Sequence, residues 1–169
     1  MIQIGKQIMY REQVCTLVEI AEKYRNDEDY YVLQSDGDDS LLIRVPAKNA
    51  KINIRPLISK KELKELLEKI PSITPITISK HTKGSEYKAL LDSGGHENVI
   101  KVIKTAYLRQ QERLEQSHKP NESDKIYLRQ AESRLYSEAA CAMGVSFDEA
   151  KELILSKLGP LVSPEVTVA

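Results

Sequence analysis

Asp29-Tyr30-Tyr31-Val32-Leu33-Gln34-Ser35-Asp36-Gly37-Asp38-Asp39-Ser40-Leu41-Leu42-Ile43-Arg44-Val45-Pro46 decides the class of the N-terminal part of this chain. Tyr30–Leu33 and Leu41–Val45 are short runs of β-branched, aromatic and aliphatic residues, and Ser35–Ser40 between them is a cluster of turn formers. Upstream, Ile2, Ile4, Ile8, Tyr10, Val14, Thr16 and Val18 alternate with polar neighbours, the period of a half-buried strand. Asn26-Asp27-Glu28-Asp29 separates that stretch from Tyr30, and Asn53-Ile54-Arg55 forms a last extended piece before Pro56. About five short strands in so short a stretch predict a small antiparallel barrel of the SH3 or Tudor kind over residues 1–58, with no helix of useful length.

From Ser59 the period changes to that of helices. Ser59-Lys60-Lys61-Glu62 is a capping box ahead of an apolar face of Leu63, Leu66, Leu67 and Ile70, and Pro71 ends the helix. Residues 71–84, with Pro71, Pro75 and Gly84, read as a linker of short extended character. A short helix Glu86–Leu91 stops at Gly94-Gly95. Val99, Ile100, Ile103, Ala106 and Tyr107 stripe a longer one from about His96 to Glu115. Tyr127, Leu128, Ala131, Leu135, Ala139 and Cys141 or Ala142 do the same from Glu122 to Met143, which closes at Gly144. Ser146-Phe147-Asp148-Glu149 is a second capping box, opening a helix over Glu149–Leu158. The fold class is therefore α+β: a barrel over 1–58, an all-α part over 59–158, and an uncommitted tail over 159–169.

Composition narrows the function classes. The chain has 169 residues, with 25 basic and 25 acidic side chains. A polycation that binds nucleic acid through bulk charge is excluded. The charge is unevenly spread. Residues 59–118 carry 11 basic and 8 acidic groups, the excess lying mostly between Lys80 and Arg113, while the flanking parts are slightly acidic. No stretch of 18 apolar residues is present, Met1–Lys6 lacks the pattern of a secretion signal, and two distant cysteines make no disulfide framework. A soluble cytoplasmic protein is the expectation.

Chemistry-bearing motifs are scarce. Cys15, Cys141, His81, His96 and His118 show neither C-x-x-C nor H-x-x-x-H spacing, so no metal site is expected. The two cysteines read as small core residues and the histidines as surface groups. Gly94-Gly95 lacks a preceding strand and the G-x-G-x-x-G or Walker spacing, and reads as an interhelical turn. No G-x-S-x-G elbow occurs, and Asp36–Asp39 is too short for a calcium loop. No cofactor and no catalysis are expected. Tyr107, Tyr127 and Tyr136 fall on or beside apolar stripes. An exposed Tyr next to Arg25 or Arg44, by contrast, would make a protein-binding patch.

Four passages together resemble the CarD family of bacterial RNA polymerase-binding transcription regulators. They are Ile4-Gly5-Lys6-x-Ile8-Met9-Tyr10 with Val14-Cys15-x-Leu17-Val18-x-Ile20; Asp29–Leu33 with Ile43-Arg44-Val45-Pro46-Ala47-x-Asn49-Ala50 and Ile54–Ser59; Tyr87-Lys88, Ser93-Gly94 and Val102-Ile103-Lys104-x-x-Tyr107-Leu108; and Leu128-x-x-Ala131-Glu132-x-x-Leu135-Tyr136-x-Glu138. The resemblance covers nearly all of Ile2–Leu158. It implies a Tudor-like domain that docks on the polymerase β subunit, and a helical domain that meets promoter DNA at the upstream edge of the melted region and stabilises the open complex. By position, Arg44 matches the polymerase-facing arginine, and Tyr24 or Arg25 a second such position. Lys88 matches a DNA-facing base in the Tyr-Lys pair, and Lys80, His81, Lys83 and Lys104 join it as DNA-facing candidates. Two departures stand out. No Trp precedes the Tyr-Lys pair, where many members carry one as a wedge, so DNA contact is expected to be weak and salt-sensitive. The Tyr10–Val14 turn is one residue shorter than usual and lacks glycine. The alternative expectation is a protein-interaction adaptor that docks on polymerase or another partner without binding DNA; a homodimer is open to either.

Overall fold

The computed structural model describes residues 2–79, 82, 84–159 and 161, and the side chains of all these but Asp39. The chain divides into two compact units, Met1–Ser59 and Lys60–Ala169.

The first unit is a meander of β1 (Gln7–Tyr10), β2 (Gln13–Arg25), β3 (Glu28–Ser35) and β4 (Asp38–Pro46). A 3₁₀ turn (Ala47–Asn49) and the single-turn helix α1 (Ala50–Asn53) then lead to β5 (Ile54–Pro56). All pairs are antiparallel, in the order β4-β3-β2-β1-β5. Among the described residues the ladder runs from β4 at one edge to β5 at the other, which makes the unit a five-stranded antiparallel sheet. β5 has three residues and finishes on Pro56, and β4 finishes on Pro46; neither proline has an N–H to extend a ladder.

The inward face also differs from the simple alternation. Ile8 pairs with Cys15 across the first hairpin, so Cys15 and Leu17 share its face, while Val18 is 38% exposed. The tight turn reverses the parity that a continuous strand would have kept. A bulge then inserts Val18 between the Leu17–Leu33 and Glu19–Val32 pairs, which returns Ile20 to the core side opposite Tyr31. Ile8, Cys15, Leu17, Leu33 and Val45 form the buried centre, with Ile2, Tyr10, Ile20, Tyr31, Ile43 and Ile54 packed around it. Burial pushes the Cys15 thiol pKa up, and the nearby Asp36 carboxylate adds to the shift.

The short first turn is a two-residue hairpin loop. Arg11 (φ 45°) and Glu12 (φ 67°) both occupy the left-handed region, as a type I′ turn requires. Neither residue favours it. The turn is held by a 3.1 Å Glu12–Arg55 ion pair and a 3.1 Å hydrogen bond from the Arg11 N–H to the Asn53 carbonyl. Left-handed backbone costs an L-residue about 1–2 kcal/mol, whereas a half-exposed ion pair contributes about 0–1 kcal/mol. The double substitution Arg11→Asn, Glu12→Gly is therefore expected to raise stability by about 1 kcal/mol despite losing the ion pair. A higher urea midpoint at unchanged slope checks this; a lower midpoint shows that the Arg55 contact dominates.

The second unit contains α2 (Lys60–Lys69), a 3₁₀ turn (Ile70–Ser72), α3 (Ser85–Ser93), α4 (His96–Glu115), α5 (Glu122–Met143) and α6 (Phe147–Lys157). Leu63, Leu66, Ile70, Tyr87, Leu91, Ile100, Ile103, Ala106, Leu135, Tyr136, Ala139, Ala150 and Ile154 are buried, as the helical stripes require. Asn121 caps α5 through the Asp124 N–H, and Ser146 caps α6 through the Glu149 N–H, both at 3.1 Å. Helix α6 consequently begins at Phe147, two residues before the expected Glu149. Gly84 (φ 88°) precedes α3 with the Tyr127 ring against it: a Cβ there would stand 2.4 Å from Cε2.

Residues 73–79 form no helix or strand, but they are not a free linker. Ile73 is buried, the Ile76 N–H donates to Thr105 Oγ1 at 2.9 Å, and the Ser79 N–H donates to Glu86 Oε2 at 2.8 Å. Hydrogen bonds from the Thr82 side chain and the Ser79 N–H hold the Glu86 carboxyl at about 2, below the usual range. His96, expected as a plain surface group, places Nε2 2.9 Å from Oε1 of the buried Glu138.

Candidate docking surface

The sheet builds one constellation from residues that lie far apart in sequence. Between the Ala21–Tyr30 and Arg25–Glu28 pairs, β2 carries more residues than β3. Lys23 takes φ 47° there, and its N–H is bound by Asp29 Oδ1 at 3.0 Å. This second irregularity re-aims Tyr24, which would otherwise follow the pleat, so that its ring meets Tyr30 edge-on at 5.3 Å between centroids and 64° between planes. Arg44 arrives from the neighbouring strand: it pairs with Val32, two residues along from the Tyr30–Pro46 pair. Its guanidinium carbon lies 5.2 Å from the Tyr24 ring centroid.

Tyr24 and Arg44 are both exposed, Tyr24 at 47%. Among the described residues no carboxylate lies within ion-pair distance of Arg44, so the Tyr24 ring is the contact that orients the group. A guanidinium held beside an aromatic ring is pre-organised to take a carboxylate bidentately. Arg25 stands at the hairpin end opposite Glu28. The choice left open by the sequence between Tyr24 and Arg25 thus acquires geometry: Tyr24 is the residue in contact with Arg44. Tyr30 completes the cluster, and only the β2 irregularity, which no local sequence pattern reveals, brings it there.

The DNA-facing candidates fare differently. Lys88 is exposed on α3, but its ammonium sits 2.6 Å from Asp92 one turn on, which raises its pKa and offsets its charge. Lys104 is corrected outright: it is 3% exposed, and its ammonium donates to the carbonyls of Ile70 and, at 2.7 Å, Ile73. Desolvation lowers its pKa. It anchors the turn after α2 and cannot reach a phosphate. Lys80, His81 and Lys83 lie outside the described residues. No helix among the described residues is long and apolar enough to cross a membrane.

Neither a comparison with protein-family models nor one with curated protein sequences finds a match to this chain.

Proposed function

We propose that this chain is a non-enzymatic, CarD-like transcription regulator whose sheet unit docks on the β subunit of bacterial RNA polymerase through Tyr24, Tyr30 and Arg44. The observation that carries the reading is the Arg44 guanidinium 5.2 Å from the Tyr24 ring centroid with, among the described residues, no carboxylate within ion-pair distance. Aromatic and arginine side chains of this kind supply most of the energy of protein interfaces. Further support comes from the layout, a five-stranded antiparallel sheet followed by helices. The Val45-Pro46-Ala47-x-Asn49-Ala50 passage ends β4 and turns the chain into α1. The finer reading of the sheet as a Tudor-like barrel belongs to this proposal and rests on the bulged meander with β5 returned to β1.

Charge reversal at Arg44 is the test. Arg44→Glu in the full chain is expected to weaken retention of purified polymerase by about 30-fold or more, the scale of a lost interface hot spot of at least about 2 kcal/mol. Lys51→Glu, an exposed change on α1, serves as the control. Equal retention by both variants refutes the assigned surface.

A second reading is favoured by a specific observation: Lys88 is paired and Lys104 is buried, which removes two of the expected phosphate contacts. The chain would then be a polymerase-docking adaptor without DNA contact. An electrophoretic shift of promoter DNA at low salt, with and without polymerase, separates the two. A polymerase-dependent supershift that collapses with added salt supports DNA contact; unchanged DNA mobility supports the adaptor.

A further inference from the structure

Helix α5 carries Lys125 and Arg129 one turn apart, a like-charge pair that by itself disfavours the helix slightly. Lys151 on α6 faces the same groove, and the three cations stand at the rim of a cleft of about 370 Å³ between α4, α5 and α6. The wall is apolar. Leu128 is buried, and Tyr136 meets Phe147 edge-on at 5.7 Å and 71°. Phe147 remains 42% exposed, an aromatic face without full cover in its own fold.

The cations are poorly neutralised. Lys125 is 3.5 Å from the exposed Glu122, and Lys151 is 3.9 Å from Glu132, the one carboxylate lining the cleft. Glu132 already accepts the Tyr107 hydroxyl at 2.8 Å. Arg129 is exposed, and among the described residues no carboxylate lies within ion-pair distance of it. The Tyr136 hydroxyl is buried beside Glu132, which keeps that carboxylate turned toward the core side of the cleft's wall as well as toward Tyr107.

We propose that this cleft binds a small organic anion with a flat apolar body, such as an aromatic carboxylate. The rings would stack on the exposed face of Phe147, and the acid group would meet the Arg129 guanidinium with Lys125 and Lys151 alongside. The volume lies at the lower end of small-molecule sites, which limits the body to about two rings. The inference concerns a site apart from the sheet surface and does not depend on polymerase docking.

The probe is naphthalene-2-carboxylate, titrated into the full isotope-labelled chain and followed by amide chemical shifts. Saturable shifts confined to the α5–α6 cleft, with a Kd of about millimolar or tighter, are expected for a ligand of this size. Arg129→Gln, an exposed change that leaves the core intact, should weaken binding about tenfold or more, and Phe147→Ala should do likewise. Neutral naphthalene-2-carboxamide should bind at least about tenfold more weakly than the acid. The proposal fails if the amide binds as well as the acid, if Arg129→Gln changes nothing, or if no saturable shifts appear. It fails equally if inorganic phosphate at matched ionic strength moves the same amides as strongly, because the cleft would then be a mere cluster of cations.

Discussion

Asp124→Ala is expected to lower stability by about 3–5 kcal/mol, the cost of breaking a buried charged pair from one side. Asp124 is 1% exposed in the first turn of α5. Its Oδ1 accepts the Tyr87 hydroxyl from α3 at 2.7 Å and the Arg109 Nε–H from α4 at 2.9 Å, so one oxygen ties three helices together. Truncation leaves the fully buried Tyr87 hydroxyl without an acceptor and the Arg109 charge without its counterion. Burial, followed by the Asp124 carboxylate, pushes the Tyr87 pKa far up, so the phenol remains a neutral donor. The carboxylate also lies at a helix N-terminus, where negative charge is favoured. Asp124→Asn keeps the shape and one acceptor but loses the charge, and should cost about half as much. Urea denaturation of the three proteins measures the series. A loss below about 1 kcal/mol for the alanine variant would show that the helices hold together by apolar packing alone.

Lys104→Met carries the second large effect. The substitution keeps the apolar volume and removes the donor that serves the Ile70 and Ile73 carbonyls. Two orphaned buried carbonyls cost about 2–6 kcal/mol together, at about 1–3 kcal/mol each, and the relief of burying an ammonium offsets part of that, leaving an expected loss of about 2–4 kcal/mol. The pH dependence has a definite sign. The Lys104 pKa is lowered in the folded state by desolvation. Between that lowered value and the unfolded value of about 10.4, the unfolded chain binds more protons, so the native protein gains stability as pH rises. The methionine variant lacks this gain, and the gap between the two proteins should widen toward pH 10. A gap that narrows instead would mean that the ammonium is not desolvated. Promoter affinity, if the helical unit has any, should not follow this substitution, since the side chain does not reach the surface.

Much of the architecture is written locally. Capping residues Asn121 and Ser146, the glycines that follow α3 and α5, and the apolar stripes of α2, α4 and α5 act over one or two turns of chain, where spacing and side-chain chemistry suffice. Turn clusters at Asn26–Asp29 and Ser35–Ser40 likewise mark the hairpins. Strand parity was not legible: Val14, Thr16 and Val18 alternate convincingly, yet the register of β2 depends on a turn lacking glycine and on a bulge at Val18.

The site residues divide along the same line. Arg44 and Tyr24 could be named from sequence, as could the value of a tyrosine beside an arginine, because each side chain's chemistry is its own. Their contact, and Tyr30's place in it, exist only because the β2 irregularity turns one strand over its neighbour. Lys104 illustrates the opposite outcome: a lysine in a basic stretch reads as a surface cation, and only packing shows it spent on two main-chain carbonyls. Sequence by itself determined the element types, the division near Ser59 and the chemical repertoire, since these depend on neighbours within a few residues. Tertiary structure alone decided which charges remain free to meet a partner, because that depends on groups brought together from distant parts of the chain and on the water they lose there.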